Sequence, residues 1–361
     1  MDIGIPKERQ AGEQRVGLTP VGVGLLTKDG HACYVESGAG EGAGFDDYDY
    51  ERLGATIVFD GQELYARSSL LLKVLRPTME EIQWMHEGQI LLGFLGLIAA
   101  AREEIELLIE RQITAVAYEM VSTDGRNFPI LKTMSEVAGR MAPYVAGSLL
   151  MRAHGGRGVL LNGVPGVPAG EVVILGAGTL GSNAARAFLG LGAKVFVLNP
   201  TLERLRLIDE QFNGQAITMI SHDFNIAALI RFADVIIGAV RVPGERPPTL
   251  ITRDMLRTMR RGAAIIDFSI DHGGCVETSR PTTLEDPFFV EEDIVHYCVP
   301  NVPGAVPRTS THAFNNAAWP YVQALVKSGP ATAFAQEVAL KNAVVLRHGT
   351  VVDEKLRGVL K

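Results

Sequence analysis

Six residues carry the clearest chemistry in the sequence: Gly176-Ala177-Gly178-Thr179-Leu180-Gly181. A bare GxGxxG is a weak signal. Here it follows the apolar run EVVIL (171–175) and opens a stretch of small residues, with Ala184, Ala185 and Ala187. A second apolar run, KVFVL (194–198), comes at the spacing of a βαβ unit. In that context the glycines read as a dinucleotide cradle. Gly176 permits a tight turn, Gly178 lets backbone approach a pyrophosphate, and Gly181 lets a helix pack close to its strand. The N–H groups at the helix start, Thr179 and Leu180 among them, favour an anion. The plain alternative is a glycine-rich strand-to-helix turn without a ligand.

One position departs from that pattern. The second strand of such a unit usually ends in Asp or Glu, which holds the adenosine ribose 2′-OH. Asn199 stands there, followed by Pro200, with Arg204 and Arg206 just beyond. An amide bonds a hydroxyl but does not repel a 2′-phosphate. The residues leave both NAD and NADP open as cofactors. Either arginine can equally be a solvated helix position.

Other familiar chemistries are missing. His86-Glu87 is not a zinc motif, because Ile90 stands four residues after the histidine. No GxSxG and no P-loop occurs, and no metal site is expected. Cys33, Cys275 and Cys298 are widely spaced and odd in number, which fits reduced thiols in a cytoplasmic protein.

The elements that must position the cradle are short apolar runs alternating with helix-like stretches. Strand candidates are IGI (3–5), ACYVE (32–36), LLLKV (70–74), QILLGF (89–94), TAVAY (114–118), EVVILG (171–176), KVFVL (194–198), DVIIGAV (234–240) and AAIIDFS (263–269). Continuous apolar runs imply strands buried on both faces, hence parallel sheets covered by helices and an α/β fold. Helices are expected from Thr19-Pro20 to about Lys28, over 102–111, and over 135–153 with Pro143 inside. The turn-rich stretches 122–130 and 299–307 divide the chain. The expected arrangement is a dinucleotide-binding domain over 131–304. A discontinuous substrate domain would be built from 1–130 and 305–361, with a ligand cleft between the two.

Composition narrows the function. The chain has 361 residues, enough for roughly two domains. Its formal charge of −7 without a basic run argues against nucleic acid and anionic membranes as partners. The longest apolar run, Ile90 to Ala101, falls short of the roughly 20 residues a membrane span needs. Glycine is in excess: 39 of 361 is about 11%, against an average near 7%. Those glycines should mark turns and close backbone approaches.

Several long blocks resemble the alanine dehydrogenase family, related to nicotinamide nucleotide transhydrogenase. They are MDIGIPKERQAGEQRVGLTP (1–20), ESGAGEGAGF (36–45), MSEVAGRMA (134–142), GGRGVLLNGVPGV (155–167), IGAVRVPG (237–244), IDHGGCVETSRPTT (270–283) and NVPGAVPRTST (301–311). The resemblance runs in order along essentially the whole chain. It implies two Rossmann-like domains, a nicotinamide cofactor in the central one, often a homo-hexamer, and reversible oxidative deamination of L-alanine to pyruvate and ammonia. It further implies Arg15 as the substrate carboxylate clamp, Asp271 and Asn301 near the nicotinamide, and Ser135 and Val240 among the cofactor contacts.

Two family groups are absent. The family's KVKEP block reads KVLRP, so Leu75 stands for the functional Lys, with Lys73 before it and Arg76 after it. The family's FLHLA block reads FLGLI, so Gly96 stands for the catalytic His. Reductive amination moves protons and needs a positioned acid/base, whereas hydride transfer to a preformed imine needs less. The expectation is an NAD(P)-dependent oxidoreductase on a carboxylate-bearing substrate other than alanine and pyruvate. Asp271 or His272 would serve as proton donor, Arg15, Lys73, Arg76 and Asn301 as substrate contacts. A non-catalytic dinucleotide-binding sensor or partner subunit and an ordinary alanine dehydrogenase are the alternatives.

Overall fold

A computed structural model describes residues 1–242 and 246–360. Pro243 and Gly244, the end of the IGAVRVPG block, lie outside the described residues. Two compact units result: Met1–Met134 with Val306–Lys361, and Ser135–Ala305.

The first unit holds strands β1 (Asp2–Ile5), β2 (Ala32–Glu36), β3 (Thr56–Val58), β4 (Leu70–Leu75), β5 (Ile90–Phe94) and β6 (Thr114–Ala117). The second holds β7 (Glu171–Leu175), β8 (Lys194–Asn199), β9 (Ile217–Ile220), β10 (Val235–Gly238), β11 (Ala264–Asp267), β12 (Phe288–Glu291) and β13 (Ile294–Tyr297). The chain then adds β14 (Val344–Arg347) and β15 (Thr350–Val351) to the first unit. The sheets run β15-β14-β6-β5-β4-β1-β2-β3 and β12-β13-β11-β10-β7-β8-β9. The parallel strands of each follow the doubly wound order 3-2-1-4-5-6, β13 being the sixth in the second sheet, and the order reverses beside the first strand.

The expected α/β fold holds, with one correction. The sheets are mixed, not wholly parallel: β12 pairs antiparallel with β13, and β14 antiparallel with both β6 and β15. All three pairs lie at the outer end of a sheet, where a hairpin or a returning chain can add a strand without a crossover helix. The periodicity of β9, β12 and β15 is too short or too polar to announce them.

The double-sided burial follows from the sequence of β7. Val172 and Ile174 join one core cluster with Val195, Val197, Val235 and Ile237. Val173 and Leu175 join the other with Phe196, Leu198, Ile236 and Ile265. Successive side chains point to opposite faces, so an unbroken apolar run fills both. Truncating one of the leucines or isoleucines among these to alanine costs about 2–5 kcal/mol.

The helices start and stop on local signals. Thr19 caps Pro20–Lys28 by accepting from the Gly22 N–H at 3.3 Å. The helix expected over 135–153 instead spans Pro129–Leu149 and retains Pro143. Its start at Pro129 uses the proline's preset φ at a helix N-terminus. Among the described residues, no helix is long and apolar enough to cross a membrane.

Candidate functional site

In the second unit, Gly176 follows β7 with φ +109, and a Cβ there would collide with the Ala239 carbonyl. That contact lies where the strand order reverses, between β7 and β10. Gly181 sits against the Gly176 carbonyl, so any Cβ would collide with backbone there too. Gly178 differs: a Cβ at that position meets nothing within 4 Å. It is the N-cap of helix Thr179–Leu191 and offers no side chain to the helix start. The first-turn N–H groups, including Thr179 and Leu180, thus face an open approach at the positive end of a 13-residue helix. This is a fit for a pyrophosphate.

Asn199 ends β8 and turns back on this loop. Its Oδ1 accepts from the Ala177 N–H at 3.2 Å, and its Nδ2 donates to Thr201 Oγ1 at 2.9 Å. Arg204 and Arg206 are exposed on helix Leu202–Phe212. On the other side of the cradle, the Val240 N–H donates to Ser269 Oγ at 3.0 Å. Ser135 lies on helix Pro129–Leu149, half-buried.

Asp271 and His272 form the end of a 3-10 turn, Phe268–His272, and are not strand neighbours. Both are accessible at the surface. Protein atoms crowding the Asp271 carboxylate desolvate it and raise its pKa, against the Asn301 N–H donating to Oδ1 at 3.1 Å. Asn301 holds that position with φ +53. Desolvation lowers the pKa of His272. Cys275 is buried against Asp267, with Sγ 3.5 Å from Oδ1, and burial pushes its thiol well up. It is a packed thiol, not a nucleophile.

In the first unit the loop after β1 lies along the C-terminal half of β4. Glu8 accepts from the Val74 N–H at 2.7 Å, and Gly17 abuts the Leu72 carbonyl. Arg15 is 2% exposed. Glu13 grips it from one side, with Nε to Oε1 at 2.8 Å and Nη2 to Oε2 at 2.5 Å, while Nη1 lies 3.3 Å from Met134 Sδ.

Lys73 has no accessible surface. Its ammonium is 2.7 Å from Glu81 and 3.2 Å from Glu8, and Tyr65 donates to Glu81 at 2.9 Å. Burial opposes the charge, but the two carboxylates outweigh it and hold the lysine pKa above its ordinary value. Burial raises Glu8, while in Glu81 it is overcome by Lys73, which lowers that carboxyl. Lys73 is thus an ion paired within the core.

Leu75 ends β4, Arg76 follows it, and Gly96 follows β5 with φ +51. Glu119 fixes that loop by accepting from the Leu95 N–H at 3.2 Å and the Gly96 N–H at 2.6 Å. Arg76 is half-buried: Nε lies 3.0 Å from Glu104, and Nη1 donates to the Leu95 carbonyl at 3.4 Å. A Cβ on Gly96 would meet only Arg76 Nη1, at 3.9 Å. The sequence reading missed Glu8, Glu13, Glu81, Glu104 and Glu119. Glu13-Gln14-Arg15 and the capping-box spacing of Thr78 and Glu81 offered local signals, while Glu8, Glu104 and Glu119 reach their partners from farther along the chain. Among the described residues no His, Cys, Asp and Glu group could hold a metal.

Two doubly wound units, one with a glycine cradle at its order reversal, define a dinucleotide-binding α/β protein. Comparison with known proteins specifies it further. The family models "Alanine dehydrogenase/PNT, N-terminal domain" and "C-terminal domain" match residues 4–138 and 142–354. The chain belongs to the alanine dehydrogenase/PNT family. It is 43% identical to alanine dehydrogenase of Mycobacterium tuberculosis over 356 residues, covering 99% of this chain and 96% of that protein. It is also 43% identical to alanine dehydrogenase 2 of Staphylococcus aureus, covering 98% and 95%. A solved L-alanine dehydrogenase superimposes with a TM-score of 0.96 at 41% identity, covering 99% of each chain. A transhydrogenase from Sinorhizobium meliloti shares the fold, with a TM-score of 0.83 at 23% identity and coverage of 98% and 99%. The chain is an alanine dehydrogenase-like oxidoreductase.

Proposed function

We propose that this chain transfers a hydride between a nicotinamide dinucleotide and the carbon of a C–N bond in a small amino acid. Alanine and pyruvate are the first pair to test. One observation carries the reading: an open glycine cradle in a chain 43% identical, over nearly its full length, to proteins named alanine dehydrogenase. Bound there, the nicotinamide supplies the hydride acceptor or donor. The pyrophosphate would lie on Gly178, Thr179 and Leu180, with Gly176 and Gly181 shaping the loop and Ser135 and Val240 beside it.

The chain's own residues supply the rest. Arg15 is braced side-on by Glu13 and orients the substrate carboxylate. Asp271, its carboxyl raised by desolvation, is the proton-exchanging group, positioned by the Asn301 backbone. His272 is the alternative at the same turn. The comparisons lend no support to a non-catalytic sensor. The homo-hexamer and the cytoplasmic location are part of this proposal by resemblance only.

A second reading rests on Leu75 and Gly96. Neither can move a proton, and the Arg76–Glu104 pair lies beside Gly96. That arrangement favours a larger or preformed imine substrate, with Arg76 as a second anion contact. The relatives favour alanine. Purified protein with NADH or NADPH should be offered pyruvate with ammonia, then other 2-oxo acids with amines, then cyclic imines. Loss of reduced-nicotinamide absorbance with pyruvate and ammonia supports the first reading. Turnover confined to larger or cyclic substrates supports the second, and no turnover with any of them defeats both.

A further inference from the structure

We propose that the adenosine end of the cradle accepts a 2′-phosphate, so that the chain binds NADP(H) as well as NAD(H). The inference rests on the reading of the glycine loop as a dinucleotide site. It turns on Asn199. In this fold the residue ending the second strand faces the adenosine ribose, and a carboxylate there both holds the 2′-OH and repels a 2′-phosphate. Asn199 has that place at the end of β8 and carries no charge.

The structure shows where its amide is committed. Oδ1 is held by the Ala177 N–H and Nδ2 by Thr201 Oγ1, so the side chain braces the glycine loop. Its backbone carbonyl accepts from the Ser221 N–H at 3.1 Å, which brings the end of β9 alongside. The residues gathered there are Thr201, Ser221 and His222: two hydroxyls and an imidazole. Arg204 lies in the first turn of helix Leu202–Phe212, exposed and without an ion pair among the described residues. Two acids are also near in sequence, Glu203 and Asp223, each in the first turn of its helix. Both are exposed to water, which screens them. The group at the strand end itself is neutral, and that position decides whether a dianion is repelled.

Calorimetric titration of the full chain with NADH and with NADPH tests this. The expected dissociation constants lie within about tenfold of each other. Asn199→Asp should weaken NADPH by at least about tenfold, through like-charge repulsion, and change NADH by less than about threefold. Arg204→Ala should weaken NADPH more than NADH, with the difference shrinking at high salt. Wild-type NADPH binding more than about tenfold weaker than NADH overturns the inference and leaves the dinucleotide reading intact. So does a loss with Asn199→Asp that is equal for both cofactors. Failure of both cofactors to bind overturns the cradle reading, and the inference with it.

Discussion

The two units share one strand order, and each places its most constrained residues where that order reverses. They fill the place with opposite materials. In the second unit the reversal is lined by backbone: Gly176 against the Ala239 carbonyl, Gly181 against Gly176, and open space over Gly178. In the first unit it is lined by buried ions: Glu8, Lys73 and Glu81 around β4, with the Glu13–Arg15 pair in the loop after β1. A backbone site asks only for residues small enough to stay out of the way. An ionic site asks for each partner in place, because an unpaired buried charge is costly. The cradle therefore tolerates change beside it, as at Asn199, so long as its glycines stay, whereas the buried ions of the first unit must stay together. Leu75 and Gly96 lie outside the ionic core, one half-buried and the other exposed.

Substitutions at the two places should fail in different ways. The largest effect is expected from Gly181→Val, whose side chain has no room against backbone. It should abolish dinucleotide binding and lower the thermal midpoint together, measured by calorimetry and thermal unfolding. A variant that binds normally would break the backbone account of the cradle.

Lys73→Met comes next. It strands Glu8 and Glu81 in the core and should cost about 3–5 kcal/mol in urea unfolding. The folded-state pKa of Lys73 lies above the unfolded one, so its contribution is complete below the unfolded value. It is lost as pH rises through the folded value. The stability gap between wild type and Lys73→Met should therefore narrow above pH about 10.4. A constant gap would mean that packing, not charge, is what the lysine contributes.

The double variant Leu75→Lys/Gly96→His sharpens the comparison from the functional side. Restoring the acid/base should raise turnover of pyruvate with ammonia by about 10²–10⁴-fold. It should cost about 1–2 kcal/mol in stability, because Gly96 holds a left-handed backbone. No gain in turnover would show that another group, Asp271 first, already moves the protons.

The smallest effect is expected from Gly178→Ala. Its Cβ meets nothing in the protein, so the fold should be unchanged. NADH binding should weaken by about tenfold, or 1.4 kcal/mol, because the methyl takes space meant for the pyrophosphate. Unchanged binding would move the cofactor off Gly178.

Much of the fold was legible in particular residues. The runs EVVIL, KVFVL and VIIG announced strands buried on two faces, and Thr19-Pro20 announced a helix start. The antiparallel edges were hidden because β12 and β15 are four and two residues long, too short to show a period. The site was legible only in part. The sequence singled out Arg15, Asp271 and the glycines, but it gave no sign that Lys73 is buried between Glu8 and Glu81. The 3-10 turn that carries Asp271 and His272 was not foreseen.

The amino-acid sequence by itself determined the parallel α/β units and the cradle. Both depend on local facts: residue size, backbone freedom and the alternation of a strand. Only the tertiary structure decided which charges meet. Glu8 and Lys73 lie 65 positions apart, Arg76 and Glu104 are separated by a strand, and Asn199 bends to the loop 22 residues before it. Electrostatic partners are chosen by distance in space, and one chain read alone does not record that distance.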